Sequence, residues 1–227
     1  MGLLDYFTRR PDGRAEPVSP PPIEPLAPTA ERKPGKVTLA VIVGAGVAAA
    51  LGQFIPTEES GRKVEASVGR DGTLQVRHIS GKQYLRAYLD IVGVATACDG
   101  ITTYRGKPIK AGQQFTEAQC AAMLEEELIA HAQGVMKCTP GLALSSNPTI
   151  ERRREGPRFA AVSLAYNVGV RRYCGSTGAS RFNAGAYDSG CEALTWWNKA
   201  GGRVVKGLVA RRERERRVCI GGLRVLK

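Results

Sequence analysis

Histidine is scarce in this chain. His78 and His131 are the two present among 227 residues, and none of the six cysteines stands in a Cys-x-x-Cys pair. Structural zinc sites gather cysteine and histidine at short spacing, so this pattern argues against a metal centre. No organic cofactor is implied either. Heptads are not sustained and glycine has no period of three, which excludes coiled-coil and collagen architectures. Helix-turn-helix, zinc-finger and aromatic RNA-binding signatures are missing, so nucleic acid is not an expected partner. No internal repeat is visible. At 43% hydrophobic and 24% charged residues, the composition excludes a wholly disordered chain and a polytopic membrane protein.

What the chain does have is positive charge, unevenly spread. Lys and Arg number 33 against 21 Asp and Glu, a net +12. From Pro56 onward 27 basic residues face 16 acidic ones, so +11 of the excess belongs to that part. A basic folded domain suits a polyanion: nucleic acid, anionic lipid or bacterial cell wall. Residues 1–36 read instead as a tail. Its eight prolines, mixed with charges and few large apolar groups, cannot bury enough surface to offset chain entropy.

Thr38 to Ile55 carries no charge over 18 residues, close to the roughly 20 that a membrane helix needs. Arg32, Lys33 and Lys36 precede it. The positive-inside rule then leaves the tail in the cytoplasm and everything after Pro56 outside. Gly44, Ala45, Gly46, Ala48, Ala49, Ala50 and Gly52 dilute the segment. It could serve as a cleaved signal, a permanent anchor, or an anchor able to leave the bilayer. The expected division is a proline-rich tail at 1–36, a signal-anchor or transmembrane helix at 37–56, a hairpin extension at 57–80 and a folded domain at 81–227. Cys98, Cys120, Cys138, Cys174, Cys191 and Cys219 all fall in the exported part, where an even number suggests disulfides. Spacing does not choose among their pairings.

Alternation in Val64–Val68 and Thr73–Ile79, around Gly69-Arg70-Asp71-Gly72, predicts a hairpin. Helical patterns dominate after Gly81. Thr116-Glu117-Ala118-Gln119 reads as a capping box. The helix behind it has an inner face of Cys120, Met123, Leu124, Leu128 and Val135, with Glu125, Glu126 and Glu127 mainly on the wet side. Further helices are expected over Phe159–Tyr166, after Asp188, and over Val204–Val218. Along the last, Arg203, Lys206, Arg211, Arg212, Arg214, Arg216 and Arg217 read as a solvated basic face that could also hold an anionic wall. Short strand signals lie around Val92 to Thr103. The class is α+β, mostly α, with a small sheet near the start of the folded domain.

Four ordered motifs carry a resemblance. Tyr84-Leu85-Arg86-Ala87-Tyr88-Leu89-Asp90 leads into Gly93 and Thr96, an Asp-x5-Thr pattern. Ala161-Val162-Ser163-Leu164-Ala165-Tyr166-Asn167-Val168-Gly169 forms the second. Arg181-Phe182-Asn183-Ala184-Gly185, followed by Trp196-Trp197-Asn198-Lys199-Ala200-Gly201-Gly202, forms the third. Gly207-Leu208-Val209-Ala210-Arg211-Arg212-Glu213-Arg214-Glu215 forms the fourth. Over residues 81–222 this resembles the phage-type lysozymes, glycoside hydrolase family 24, whose opening pattern is Glu-x8-Asp-x5-Thr. The resemblance implies a two-lobed, mostly helical lysozyme domain, here preceded by one membrane helix. It also implies a muramidase acting on the β-1,4 bond between N-acetylmuramic acid and N-acetylglucosamine of peptidoglycan. Asp90 would stabilise positive charge or activate water, and Thr96 would position that water. With its weakly apolar leader the chain is similar to the signal-anchor-release endolysins. These are held in the inner membrane, here through residues 38–55, with the catalytic domain in the periplasm, and are activated on release. A monomer is expected.

One departure stands out. Counting back from Asp90 by the family spacing reaches Gly81, or Ser80 with one insertion, and neither can donate a proton. Glycoside hydrolysis normally needs an acid on the leaving oxygen and a carboxylate beside the sugar. Asp99 is the nearest substitute, with Glu58, Glu59 and Glu65 upstream as further candidates. The rival reading, from a different class, is a membrane-anchored peptidoglycan-binding pseudoenzyme without an acid.

The charge asymmetry around Thr38–Ile55 makes a direct prediction. A reporter enzyme that works only outside the cytoplasm, fused after Lys227, is expected to be active in bacteria. A fusion active only in the cytoplasm would refute the topology.

Overall fold

The computed structural model describes residues 37–90 and 93–226; the proline-rich tail read over 1–36 lies outside them. Thr38–Ile55 does not form one continuous helix. It divides at Gly44 into α1 (Leu39–Val43) and the start of α2 (Ala45–Ser60). Gly44 sits at φ 86°, a conformation that glycine adopts without a Cβ penalty. The break leaves the carbonyl of Val43 unpaired within α1, and Arg158 Nη1 donates to it at 3.1 Å. Leu39, Val43, Val47, Leu51 and Ile55 are almost completely buried, together with Leu124, Leu128 and Phe159. Phe54 meets Phe159 edge-on at 5.2 Å. Among the described residues no helix is long and apolar enough to cross a membrane. The reason is local: the apolar run is cut at Gly44, and α2 ends in charged and polar residues.

Two strands follow, β1 (Lys63–Val68) and β2 (Leu74–Ser80), paired antiparallel with Glu65 opposite Arg77 and Ala66 opposite Val76. The hairpin lies on α2 where α2 is thinnest. A Cβ on Gly52 would stand 2.7 Å from Leu74 Cδ1 and 3.1 Å from the Ala66 Cβ. Its other side is held by α3 (Glu117–Cys138). The backbone N–H of Leu74 donates to Glu125 at 3.1 Å, and that of His78 to Glu117 at 2.8 Å. Glu125 is therefore buried rather than on the wet side, because it takes up an edge-strand donor that would otherwise be unpaired. The Thr116–Gln119 capping box opens α3.

Two minimal hairpins come next: β3 (Tyr88–Leu89) with β4 (Ala95–Thr96), and β5 (Thr103–Tyr104) with β6 (Lys107–Pro108). A fourth hairpin, β7 (Lys199–Ala200) with β8 (Arg203–Val204), lies far along the chain. The small sheet expected near the start is thus a set of separate two-stranded pieces. Ala97, Ile101, Ile109, Phe115, Cys120 and Met123 form a second, smaller apolar cluster around β3–β6. Helix α3 contributes Cys120 and Met123 to that cluster and Leu124, Leu128 and Val135 to the main one.

The main cluster is built on α4 (Pro148–Val168), whose residues from Gly156 to Ala165 are all buried. Around it stand α5 (Val170–Cys174), α6 (Thr177–Asn183), α7 (Tyr187–Leu194) and α8 (Lys206–Gly221). Disulfides Cys98–Cys120, Cys138–Cys174 and Cys191–Cys219 tie the small cluster to α3, α3 to α5, and α7 to α8. Helices α4 and α8 approach closely at Gly156, where an added Cβ would come within 2.5 Å of the Val218 carbonyl oxygen. Backbone cannot yield there as a side chain can. Gly156→Ala is expected to lower stability by about 2 kcal/mol or more, despite the roughly 1 kcal/mol that alanine gains in helix propensity. Urea unfolding under oxidising conditions measures it.

Candidate active site

Asp90 and Thr96 come from opposite arms of the β3–β4 hairpin. Asp90 follows β3, and its Oδ1 accepts the N–H of Val94 at 2.8 Å. Its backbone N–H also donates to the Val94 carbonyl at 2.9 Å, and Gly93 donates to the Asp90 carbonyl at 3.0 Å. The carboxylate is thus oriented by its own turn and remains half-buried. Thr96 pairs with Tyr88 and is buried, with its hydroxyl donating to the Val94 carbonyl at 3.2 Å.

Asp99 occupies a different environment. It lies in the turn between Ala97 and Ile101, which exchange both backbone hydrogen bonds at 2.9 Å. Its side chain is completely buried. Arg62 grips it with two bonds, Nε to Oδ1 at 2.8 Å and Nη2 to Oδ2 at 2.7 Å, and Ser60 Oγ adds a third at 2.9 Å. A carboxylate held this way is charge-paired and shielded from an incoming sugar.

The carboxylate that the outer side of the 97–101 turn does face is Glu59, on the last turn of α2. An ideal Cβ on Gly100 would lie 3.5 Å from Glu59 Oε2, so the turn after Thr96 approaches that oxygen closely. Gly100 has φ 83°, a conformation that favours glycine, while its distance to Glu59 is ordinary van der Waals contact. The other oxygen, Oε1, accepts Arg211 Nη1 at 2.7 Å, and the Glu59 side chain keeps 21% of its surface exposed. Glu58 turns aside to a two-bond pair with Arg214, at 2.6 and 2.7 Å. Glu65 pairs with Arg77 within the outer hairpin.

Behind Glu59, two residues of the solvated basic face expected on α8 belong instead to a buried charged network, while Arg214 and Arg217 stay exposed. Arg211 and Arg212 are buried. Glu215, fully buried, meets Arg211 Nε at 3.3 Å and Arg212 Nη1 at 3.1 Å, and accepts Ser163 Oγ at 2.7 Å. Burial pushes the Glu215 carboxyl up, while the two guanidiniums pull it down. Arg212 also donates to Asn167 at 2.9 Å. Tyr166 donates to the Asp99 carbonyl at 3.2 Å. Burial, with Glu59 and Asp99 as negative neighbours, pushes its phenol well above the ordinary value, so it stays neutral. His131 stands beside Tyr166, with ring centroids 5.1 Å apart. Trp196 is exposed under Arg181, and Trp197 packs against the core.

Comparison with known proteins follows the same outline. The family model described as phage lysozyme matches residues 80–215. The SAR-endolysin of bacteriophage PS119 is 38% identical over 155 residues, covering 68% of this chain and 80% of that protein. The SAR-endolysin of Enterobacteria phage P21 is 37% identical over 155 residues, covering 68% and 81%. In three dimensions, the endolysin from Escherichia coli O157:H7 phage FAHEc1 superposes with a TM-score of 0.56 at 23% identity, over 78% of this chain and 92% of that one.

The buried network makes a stability prediction. Glu215→Gln leaves two guanidiniums facing a neutral amide in the core, a loss of about 3 to 5 kcal/mol. In a domain of this size that corresponds to a fall in Tm of roughly 10 °C, readable by calorimetry on the oxidised protein.

Proposed function

Because the chain belongs to the phage lysozyme family, we propose that it is an endolysin: a muramidase that hydrolyses the β-1,4 bond between N-acetylmuramic acid and N-acetylglucosamine in peptidoglycan and so lyses the host cell. The observation that carries the mechanism is Glu59, partly exposed, in van der Waals reach of Gly100 and anchored on Arg211. Glu59 is the general acid in this reading. It would protonate the leaving oxygen while Asp90 stabilises the developing positive charge or activates water, and Thr96 positions that water. Asp99, with both oxygens taken by Arg62 and Ser60, has no free access to a glycosidic oxygen and is not the donor.

Sequence counting missed Glu59 because Glu59 and Asp90 are 31 positions apart, 22 more than the family's spacing of nine. The β1–β2 hairpin and its joints fill that excess. The alternating pattern over 64–79 was the available signal: removing the hairpin brings Glu59 into register. A carboxylic acid in this place also removes the main reason for an inactive wall-binding protein.

The route to the wall is also part of this reading. Residues 38–55 anchor the chain in the inner membrane, and release into the periplasm lets them fold as α1 and α2. The absence of charge from the run, the preceding Arg32, Lys33 and Lys36, and the SAR-endolysin relatives support it. Three disulfides support an oxidising compartment. Lipid and core are both apolar, so the move gains little from the hydrophobic effect. Close packing and contacts such as Arg158 to Val43 and Arg214 to Glu58 would supply the difference. The released enzyme acts as a monomer on the wall, its positive surface drawn to the anionic polymer.

Glu59→Gln is expected to slow clearing of bacterial wall suspensions at least about 100-fold while Tm changes by only a few degrees. Asp90→Asn should cost as much, and Glu58→Gln should keep most of the activity. Wild-type clearing by Glu59→Gln would overturn the assignment.

A further inference from the structure

The Asp99–Arg62 pair has no role in the chemistry just described, yet it is among the most deeply buried ion pairs in the molecule. Arg62 is 5% exposed and Asp99 0%. Stability alone is a poor reason for such a pair, since the desolvation of two charges largely cancels their attraction. Its position is more informative. Ser60 and Arg62 flank Gly61 directly after Glu59, and Asp99 directly precedes Gly100, the residue that approaches the Glu59 carboxylate. The pair therefore fastens the two chain segments that carry the acid and its facing backbone. A two-bond guanidinium–carboxylate contact fixes orientation as well as distance. The turn is held elsewhere too: Cys98 is bonded to Cys120, and Tyr166 donates to the Asp99 carbonyl. Those contacts fix it to α3 and α4. The side-chain bonds of Asp99 join it to the end of α2.

We propose that Asp99 and Arg62 are a pair of positioning residues that seat the 97–101 turn against the Glu59 carboxylate. They act through Glu59 and touch no substrate. This inference rests on Glu59 being the acid. It carries a further consequence: Arg62 and Ser60 reach Asp99 only when α2 is docked in the core, so the turn is completed by the same event that brings in Glu59.

The test uses the oxidised full chain and soluble glycan strands of peptidoglycan, with release of reducing ends giving kcat and KM. Temperatures are kept below the melting transition of every variant. Asp99→Asn and Arg62→Met are expected to lower kcat by a similar factor, at least about tenfold, with KM within about threefold, because small misplacements of catalytic groups cost rate more than affinity. Hydrogen exchange in the peptide covering 97–101 should rise in both. Either single variant leaves one buried charge unpaired and could fail to fold. The double variant Arg62→Met with Asp99→Leu removes both charges; its stability should recover while kcat stays low. Wild-type kcat in the double variant would overturn the proposal. So would complete loss in Asp99→Asn beside full activity in Arg62→Met, which would make Asp99 itself the donor. A wild type that releases no reducing ends would remove the lysozyme reading and this inference together; an active wild type with unaffected variants removes this inference alone.

Discussion

The seating of one uncharged segment in the core governs the rest of this molecule. Leu39, Val43, Val47, Leu51 and Ile55 point inward along α1 and α2, and Phe54 packs on Phe159. The segment's small residues let its neighbours close in: at Gly52 the outer hairpin lies almost on the α2 backbone. With the apolar face fixed, the polar end of α2 has little freedom. Glu58, Glu59 and Ser60 come out where α8 offers Arg214 and Arg211 and the 97–101 turn offers Asp99. Packing of side chains with no chemistry of their own thus determines where the carboxylate stands.

Electrostatics then refines that placement. Arg211 lies between Glu59 and Glu215, and Arg212 between Glu215 and Asn167. Each buried charge of this network has a partner of opposite sign, as a low-dielectric interior favours. The close packing of α4 and α8 at Gly156 and the Cys191–Cys219 bridge hold α8 in the register this network requires. The basic residues of α8 divide accordingly. Arg211 and Arg212 are structural, whereas Arg203, Lys206 and Arg217 remain exposed and contribute to the positive surface suited to a polyanionic wall.

Much of this was legible without coordinates. Periodicity located α3, the second half of α4 and α8, and a capping box the start of α3, since those signals are local and period-bound. The Asp-x5-Thr pattern and the closing Gly-Leu-x-x-Arg-Arg motif pointed to the family. The run 38–55 reads as one membrane helix, yet among the described residues no helix is long and apolar enough to cross a membrane; the break at Gly44 is not legible, because a lone glycine is compatible with a continuous helix. Glu125 was placed on the wet side because helical spacing is blind to an edge strand arriving from another part of the chain.

The sequence by itself determined the longer helical patterns, which stretches are apolar and which family's motifs are present, because these properties reside in neighbouring residues. It did not determine which carboxylate serves as acid. Asp99 is near Asp90 and Thr96 in the chain, and Glu59 is far away. Folding reverses that order of plausibility: Asp99 turns into the interior to meet Arg62, and Glu59, 31 positions before Asp90, comes to face Gly100. A carboxylate's role depends on what surrounds it in space and how much water reaches it. Only the tertiary structure brings those neighbours together.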